Sequence, residues 1–461
     1  MSLNTKAKIK TLNPTTGEVE KVFDVLTARE IEEKLATAHN AYLTWKKTDF
    51  KTRANLLKNV AKIFREEKNE LAKLAAIEMG KIVGEGIIEV EACAKILDFY
   101  AQNAEDFLKD KPMSVEGVKA YMSYEPLGII LSVQPWNFPY SQVIRNVAPN
   151  IMCGNVMAVK HASNVPQCAL KIEEIFKRAG AQKGVYTNLF ITGSEISNLV
   201  SDKRIQGVTL TGSLPAGSSI AAAAGKYIKK SVLELGGNDA FIVLGDADMN
   251  KVIEHSTIRR LRNAGQVCAS PKRVIIVDSL YDEYIQKSCE IYKNIKIGNP
   301  LESDTKLAPL SSKKALDEVM SQIEKAVSQG AKLIYGGKRV GGNGAFMQPT
   351  ILTDITSKMD IYHEEVFGPV LCVYKAKDEK EAIALANDSD FGLGATIMTQ
   401  NTELANKLAK EIQSGMVGIN MVISSSPELP FGGVKHSGYG RELSQIGIYE
   451  FVNQKLIRFA K

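Results

Sequence analysis

The feature that most constrains the fold of this chain is an alternation of strand and helix patterns between residues 156 and 235. Short apolar runs alternate with segments of helical periodicity, and Gly, Pro and Ser turn residues separate them. Strands that alternate with helices at this spacing predict a parallel sheet with helices on its faces, suited to binding a dinucleotide. The predicted strands are 156–159, 187–191, 208–211 and 231–235, and the predicted helices are 165–179, 195–201 and 215–225.

A second α/β series follows. Its predicted strands are 240–243, 273–277, 370–374, 395–398 and 416–419, with helices that include 311–329 and 379–387. The segment before residue 110 is predicted to be helical: a capping box of Thr27 and Glu30 starts one helix, a second helical segment ends near Gly80, and a third covers 85–109. Further strands are predicted at 119–124, 129–133 and 451–459.

Length and composition indicate a globular protein of two or three domains, since 461 residues are too many for one simple core. The net charge of +6 is spread along the chain, which argues against a nucleic-acid partner but favours anionic ligands. No apolar run approaches the roughly 20 residues of a membrane span, and the first residues lack the apolar core of a signal peptide. We therefore expect a cytoplasmic protein that does not bind membranes.

The cysteines and histidines do not form a metal-ligand pattern. The six cysteines are scattered without short-spaced pairs, and the five histidines lie apart from them and from each other. In a reducing compartment the cysteines should be thiols. We expect no metal site.

Two side chains on glycine-containing turns point to covalent chemistry. Cys268 ends the string Asn-Ala-Gly-Gln-Val-Cys at 263–268, and Glu234 begins Glu-Leu-Gly-Gly at 234–237 directly after a predicted buried strand. A thiolate can attack a carbonyl carbon, and a partly buried carboxylate has a raised pKa that suits a general base. Cys268 is therefore the candidate nucleophile, and Glu234 is the candidate base that activates water.

Asn137 is the candidate donor to a developing oxyanion. It lies in Pro-Trp-Asn-Phe-Pro at 135–139, where two prolines stiffen the loop. Its side-chain amide, with the backbone N–H of Cys268, can stabilise negative charge on a carbonyl oxygen, and loss of one such donor typically costs about 10²–10³ in rate.

These motifs, together with Glu-Glu-Val-Phe-Gly-Pro at 364–369, resemble the NAD(P)-dependent aldehyde dehydrogenase superfamily from about Asn13 to the C-terminus. The resemblance implies an α/β fold of two Rossmann-like domains and a small β oligomerisation element. It assigns 1–118 and 134–235 to dinucleotide binding, 236–425 to catalysis, and 119–133 with 443–461 to the oligomerisation element, in which the hairpin near 119–133 joins subunits. Homodimers or homotetramers are expected.

The resemblance also implies a cofactor site, although no Gly-x-Gly-x-x-Gly fingerprint follows a strand. Thr-Gly-Ser at 211–213 stands between a strand and a helix, where a helix N-terminus can hold a pyrophosphate. Ser163 stands where NAD-preferring relatives commonly carry a glutamate, so NADP is tolerated and slightly favoured over NAD. The implied cofactor residues are Trp136, Lys160, Ser163, Gly193, Thr211, Gly212, Ser213, Leu235, Gly236, Glu365 and Phe367.

Two arginines and a serine bear on the substrate. Arg145 and Arg262 match positions that hold the distal carboxylate in succinate semialdehyde dehydrogenases, and Ser425 lies where those enzymes place a serine on the same carboxylate. The whole chain looks most like the bacterial branch of that group. Structural salt bridges at a subunit interface are the alternative role for both arginines.

Several functions stay open at this point. The leading one is oxidation of succinate semialdehyde to the acid through a thiohemiacetal and a thioester. Alternatives are a dehydrogenase of glutarate semialdehyde or simple aliphatic aldehydes, an acyl transfer to coenzyme A, and a non-catalytic binding protein. Retention of Glu234 argues against acyl transfer, and the joint presence of Cys268, Glu234 and Asn137 argues against a non-catalytic role.

Overall fold

The computed structural model describes residues 8–460, and its first part is a strand pair followed by consecutive helices. The elements are β1 (Lys8–Leu12), β2 (Val19–Asp24), α1 (Ala28–Trp45), α2 (Phe50–Glu66), α3 (Lys68–Met79), α4 (Val83–Phe107), β3 (Lys111–Val115) and β4 (Val118–Pro126). The strands β1, β2 and β3 were not predicted from the sequence.

Local capping residues set the helix boundaries as predicted. The Thr27 hydroxyl accepts from the Glu30 backbone N–H at 3.2 Å, while the Glu30 carboxylate accepts from the Thr27 N–H at 2.7 Å, so the capping box that starts α1 is confirmed. Gly80 ends α3 with a left-handed φ of 79°. The break between α2 and α3 at Glu67 was not predicted, because no Gly or Pro marks it.

The predicted parallel sheet is confirmed. It contains β5 (Ile129–Gln134), β6 (Val156–His161), β7 (Tyr186–Asn188), β8 (Ile205–Thr211) and β9 (Lys230–Glu234), which pair in parallel in the order β9-β8-β5-β6-β7. The helices between these strands are α5 (Ser141–Cys153), α6 (Pro166–Arg178), α7 (Ile196–Ser201) and α8 (Leu214–Lys226).

The second sheet is also parallel, except for one edge strand. The elements of this region are β10 (Ala240–Val243), α9 (Met249–Ile253), β11 (Arg273–Val277), α10 (Asp278–Lys293), α11 (Lys313–Ser328), β12 (Lys332–Tyr335), β13 (Thr350–Thr353), α12 (Asp360–His363), β14 (Val370–Ala376), α13 (Glu379–Asn387), β15 (Phe391–Gly392), β16 (Gly394–Met398), α14 (Thr402–Ala409) and β17 (Met416–Ile419). The order of the strands in the sheet is β12-β13-β14-β11-β10-β16-β17, and only the β12–β13 pair within this sheet of the described chain is antiparallel.

Both faces of this second sheet are buried, as expected for parallel strands covered by helices. Alternate residues of each strand enter different apolar clusters: Ile242 and Ile275 belong to one, whereas Phe241 and Val274 belong to the other. This two-residue period follows from the pleat of the strands. The first sheet packs with α1–α6 into a third cluster.

The C-terminal elements pair with strands from both α/β regions of the chain. They are β18 (Val434–Lys435), β19 (Gly438–Tyr439), α15 (Ser444–Ile448) and β20 (Val452–Phe459). β18 pairs with β15 of the second half, while β19 pairs with β9 of the first sheet, placing Gly438 opposite Glu234. The C-terminal segment therefore reaches the end of the strand that carries the candidate base.

One predicted pairing is wrong. The strands near 119–133 do not form a hairpin: β4 pairs antiparallel with β3 and β20, whereas β5 pairs in parallel with β6 and β8. The residues of β5 are fully buried, so its apolar run belongs in the covered sheet rather than in the exposed one.

Within residues 8–460 there is no helix with the length and apolarity of a bilayer span.

Candidate active site

The predicted cofactor and oxyanion residues of the first sheet gather at one edge. Each lies at or just after the carboxyl end of a parallel strand, and these ends meet because the strands run in the same direction. Trp136 and Asn137 follow β5, Lys160 and Ser163 lie at the end of β6, Gly193 follows β7, Thr211, Gly212 and Ser213 end β8, and Glu234, Leu235 and Gly236 end β9.

Cys268 lies in a tight loop between a 3₁₀ segment, Arg259–Gly265, and β11. Asn263, Ala264 and Gly265 all have positive φ angles, of 49°, 53° and 75°. A Cβ atom on Gly265 would overlap the carbonyl oxygen of Gly368, so this position has room only for glycine. The left-handed run folds the loop back and presents the thiol.

A large cleft of about 1380 Å³ reaches Cys268. Burial raises the pKa of the thiol to about 11, the Lys272 ammonium and the Arg145 guanidinium act to lower it, and the Glu234 carboxylate acts to raise it. The thiol is thus mainly protonated at neutral pH in the protein alone. Further positive charge near the thiol would increase its nucleophilic form.

Glu234 is buried, with 2 % of its surface exposed. Its Oε1 atom has no hydrogen-bond partner among the described residues. Burial, followed by the negative charge of Glu442, raises the pKa of Glu234 well above its ordinary value, while Arg145 and Arg441 oppose the shift. A carboxylate with a raised pKa and a free oxygen suits a general base.

The side chain of Asn137 is held in a defined orientation. Its Nδ2 donates to the carbonyl oxygen of Gln266 at 3.1 Å, and Asn263 Nδ2 donates to the Asn137 carbonyl oxygen at 2.8 Å. Because an amide NH₂ has two protons, one stays available to an oxyanion. These hydrogen bonds join the loops that carry Asn137 and Cys268 directly.

A dinucleotide fits the end of β8. The buried Oγ1 of Thr211 has no hydrogen-bond partner among residues 8–460, and Ser213 is the N-cap of α8 with its hydroxyl not used for capping. Gly212 N–H donates to the Glu234 carbonyl oxygen at 2.9 Å, which links the cofactor loop to the base. The first turn of α8 offers free N–H groups and the positive end of its dipole to a pyrophosphate.

Lys160 places an ammonium group at the carboxyl end of β6. Burial lowers the pKa of Lys160, and this side chain forms no ion pair with any residue of the described chain. Ser163 and Gly193 are exposed nearby along the carboxyl edge, and nothing would contact a Cβ atom at Gly193. A partly buried ammonium without a carboxylate partner is matched to an anionic ligand.

The predicted nicotinamide residues also meet. Phe367 contacts Trp136 edge to face, with ring centroids 5.8 Å apart. Glu365 is ion-paired with Lys272 at 2.9 Å and accepts from the Gly237 N–H at 3.2 Å. A Cβ atom on Gly236 would overlap the Glu365 carboxylate, so the glycine allows this close approach. Leu235, also in this segment, donates its N–H to the Ser437 carbonyl oxygen at 3.0 Å.

The predicted substrate residues Arg145, Arg262 and Ser425 line the same cleft as Cys268. Arg145 is buried and ion-paired with Glu442 of its own chain. Arg262 forms no ion pair within residues 8–460, and its guanidinium lies 5.4 Å from the centroid of the Phe138 ring. The two arginines are therefore in different electrostatic situations.

Sequence reasoning missed Glu442, Lys272 and Asn263 as members of the site. Asn263 lies within the nucleophile motif, so its position in that motif could have signalled it. Glu442 meets Asn146 through a 2.9 Å hydrogen bond across 296 residues, and no local pattern reports such a contact.

Known proteins are similar to this chain over nearly its whole length. The sequence profile of the Aldehyde dehydrogenase family matches residues 2–457. The succinate-semialdehyde dehydrogenase [NADP(+)] of Deinococcus radiodurans is 43% identical over 448 residues, which are 97% of this chain and 94% of that protein. A probable succinate-semialdehyde dehydrogenase [NADP(+)] of Synechocystis sp. is 43% identical over 98% of this chain and its own full length.

Solved structures are similar over nearly the whole chain. The crystal structure of succinic semialdehyde dehydrogenase from Streptococcus pyogenes in complex with NADP+ has a TM-score of 0.97 and 45% sequence identity, with 98% of this chain and 100% of that chain covered. Betaine aldehyde dehydrogenase from Staphylococcus aureus in complex with NAD+ has a TM-score of 0.95 at 28% identity, covering 99% and 92% of the two chains. The profile match over residues 2–457, the sequence relatives and the similar solved structures together establish that this chain belongs to the aldehyde dehydrogenase family.

Proposed function

We propose that this protein oxidises succinate semialdehyde to succinate with NADP+. Relatives at 43% identity and a solved structure at 45% identity carry that substrate in their names, and their names include NADP+. The proposal depends on the position of Arg262. Its guanidinium lies in the cleft that contains Cys268 and forms no ion pair among the described residues.

The distal carboxylate of the substrate would lie between Arg262 and Arg145, within reach of Ser425. Guanidinium groups bind carboxylates through paired hydrogen bonds, and such charged bonds contribute about 1.5–3 kcal/mol each. Arg262 forms no ion pair among residues 8–460, although its charge opposes the effect of burial, which raises the pKa of the neighbouring Glu85. Arg145, by contrast, would be shared between the substrate and Glu442. Arg262 is therefore expected to dominate the selection of an anionic aldehyde.

The reaction starts at Cys268. The thiolate attacks the aldehyde carbon, an S–C bond forms, and the carbonyl oxygen takes the negative charge. The free N–H of Asn137 and the backbone N–H of Cys268 stabilise this oxyanion. The hydrogen bond from Asn137 to Gln266 keeps the amide aimed in one direction during the step.

Bound NADP+ would accept the hydride of the reacting carbon, which leaves a thioester on Cys268. Glu234 then removes a proton from water, the hydroxide adds to the thioester, and the S–C bond breaks to release the acid and the thiolate. The raised pKa of Glu234 makes it a stronger base than an exposed glutamate once it is ionised.

The residues for the cofactor favour a 2′-phosphate. Lys160 brings a cation without a carboxylate partner, and Ser163 is neutral and exposed. Thr211, Gly212 and Ser213 would hold the pyrophosphate, while Trp136, Leu235, Gly236, Glu365 and Phe367 would surround the nicotinamide ribose and ring. Gly193 would leave room beside the adenosine.

The test compares two aldehydes of four carbons, succinate semialdehyde and butanal, by the initial rate of NADPH formation. We expect the wild type to prefer succinate semialdehyde in kcat/KM. Arg262→Ala should lower kcat/KM for the semialdehyde by about 10- to 200-fold, which corresponds to about 1.5–3 kcal/mol, and should leave butanal unchanged. Equal kcat/KM for both aldehydes in the wild type would contradict the substrate assignment and leave the dehydrogenase chemistry in place.

We further propose a division into units. The strand pairings move two of the bounds expected from the sequence, 1–118 and 134–235, because β3 pairs with β4 and β5 lies in the first sheet. Residues 1–110 with 129–235 would then bind the dinucleotide, and 236–425 would form the catalytic domain as expected. The sheet of β3, β4 and β20 would join two copies of the chain as a homodimer or within a homotetramer. Exposed apolar side chains on this sheet, Met113, Leu456 and Phe459, support the proposal. Sedimentation velocity should give a dimer or a tetramer, and Leu456→Lys should shift it toward the monomer.

A cytoplasmic location is proposed as well. All six cysteines are unpaired, which suits a reducing compartment. Cell fractionation with an antibody against the protein would test it.

A further inference from the structure

Two carboxylates of helix α4 accept hydrogen bonds from the backbone near Cys268 and near Asn137. Glu85 Oε2 accepts from the backbone N–H of Asn263 at 2.9 Å, in the loop that carries Cys268. Glu89 Oε1 accepts from the backbone N–H groups of Tyr140 and Ser141 at 2.8 and 2.9 Å, directly after the loop that carries Asn137. Four residues apart on a helix, these glutamates lie on the same face.

Glu89 anchors the start of α5. Its carboxylate is buried and ion-paired with Lys81, which is buried too. A carboxylate at a helix N-terminus satisfies N–H groups that have no helical partner and interacts favourably with the helix dipole. The Lys81 ammonium also lies 3.8 Å from the centroid of the Phe138 ring, next to Asn137. Glu89 and Lys81 therefore hold the C-terminal end of the loop that carries Asn137, residues 135–139, which we call the oxyanion loop.

Glu85 anchors the nucleophile loop at its most unusual point. Asn263 has φ 49° and ψ 37°, a left-handed conformation that costs free energy unless its surroundings fix it. The Glu85 carboxylate holds the backbone N–H of this residue, and the Asn263 side chain then donates to the carbonyl oxygens of Asn137 and Gln266. Asn263 thus connects α4 to the loop that carries Cys268 and to the loop that carries Asn137.

We propose that Glu85 and Glu89 are positioning residues that fix the distance between the Cys268 thiol and the Asn137 amide, with α4 as the common reference. The proposal rests on the reaction described above for Cys268. Neither glutamate acts on the substrate in this role: each acts through the backbone of a loop. Displacement of reacting groups by about 1 Å can cost about 10²-fold in rate, so two anchors on one rigid helix have a direct kinetic consequence.

The experiment measures the pre-steady-state burst of NADPH with butanal, which needs no carboxylate clamp. Glu85→Ala removes the acceptor and should lower the burst rate by about 10- to 100-fold. Glu85→Gln keeps an oxygen acceptor for the Asn263 N–H and should restore most of the rate. The KM for NADP+ and the thermal unfolding temperature of Glu85→Gln should stay at the wild-type values.

Glu91→Gln is the matched control. Glu91 is on the same helix, but its carboxylate is ion-paired with Lys68 at 2.7 Å, away from both loops. Its burst rate should equal that of the wild type. Glu89→Gln should lower the burst rate while the rate of Cys268 alkylation by iodoacetamide stays unchanged, since only the oxyanion loop is released. Glu85→Ala should alter both rates.

A wild-type burst rate in Glu85→Ala would overturn the proposal, and so would a Glu85→Gln variant as slow as Glu85→Ala. If Glu89→Gln fails to fold because Lys81 loses its partner, the Glu85 series alone decides. A wild type that oxidises butanal as well as succinate semialdehyde would reject the proposed substrate without affecting these comparisons. A wild type that forms no NADPH from any aldehyde would reject the proposed reaction itself.

Discussion

The guanidinium of Arg145 is ion-paired with the carboxylate of Glu442, and both side chains are buried. Asn146 adds a hydrogen bond to Glu442 at 2.9 Å and accepts one from Thr209 at 3.0 Å. After burial itself, the like charge of Glu442 is the next largest influence that raises the pKa of Glu234. The pair therefore links a predicted substrate residue to the general base.

Glu442→Gln should shift the pH dependence of thioester hydrolysis. Glu234 must lose its proton to act as a base, so hydrolysis rises as pH passes through its pKa. Removing the negative charge of Glu442 lowers that pKa, and Arg145, freed from its partner, lowers it further. We expect the rise to move to lower pH. Deacylation of an acyl-enzyme formed with p-nitrophenyl acetate, followed from pH 5 to 9, measures it, and a shift to higher pH would contradict this electrostatic account.

The alkylation of Cys268 in the protein alone should depend steeply on pH. With a pKa of about 11, the thiolate fraction rises about tenfold for each pH unit between 7 and 9. Inactivation by iodoacetamide should follow that slope, and NADP+ should make it shallower if the nicotinamide cation stabilises the thiolate. Peptide mass spectrometry must separate Cys268 from Cys289, which is also partly exposed. A rate that is flat above pH 7 would contradict the raised pKa.

Gly265→Ala should damage the nucleophile loop. The new Cβ would overlap the Gly368 carbonyl oxygen and lie 2.7 Å from Pro369 N, and the φ of 75° is unfavourable for alanine. Overpacking costs about 1–3 kcal/mol and a left-handed backbone about 1–2 kcal/mol more. We expect a lower free energy of unfolding by urea and a strongly reduced kcat.

Gly180→Ala is the control for this prediction. Gly180 has a φ of 96° but nothing within 4 Å of a Cβ atom, so only the backbone cost applies. It should lose less stability than Gly265→Ala and keep its kcat. Equal losses in both variants would show that the close approach to Gly368 is unimportant.

Ser163→Glu should weaken NADP+ binding. A carboxylate near the end of β6 would repel a 2′-phosphate, and two unit charges about 4 Å apart in water interact by about 1 kcal/mol. We expect the KM for NADP+ to rise about fivefold, with the KM for NAD+ unchanged or lower. Ser163→Ala, which removes the hydroxyl without adding charge, should leave both near wild type. An unchanged KM for NADP+ in the glutamate variant would place the 2′-phosphate elsewhere.

Short-range signals in the sequence determined much of the fold. Helix α1 starts at the predicted capping box of Thr27 and Glu30, and α3 ends at Gly80, because these residues act through hydrogen bonds and backbone angles within one turn. The alternation of strands and helices likewise predicted the first parallel sheet, since periodicity is a local property. Motif resemblance selected Cys268, Glu234 and Asn137, and the fold brings their loops together.

Tertiary structure alone decided the pairings between distant segments. β5 has the apolar pattern of either an edge hairpin or a buried strand, and only its neighbours β6 and β8 placed it in the parallel sheet. The contacts of Glu442 with Arg145 and of Glu85 with Asn263 join segments far apart in sequence. Local sequence determines which element a residue forms and which chemistry it carries, whereas its partner across hundreds of residues depends on how all the elements pack, because hydrogen bonds and ion pairs act only over a few ångströms.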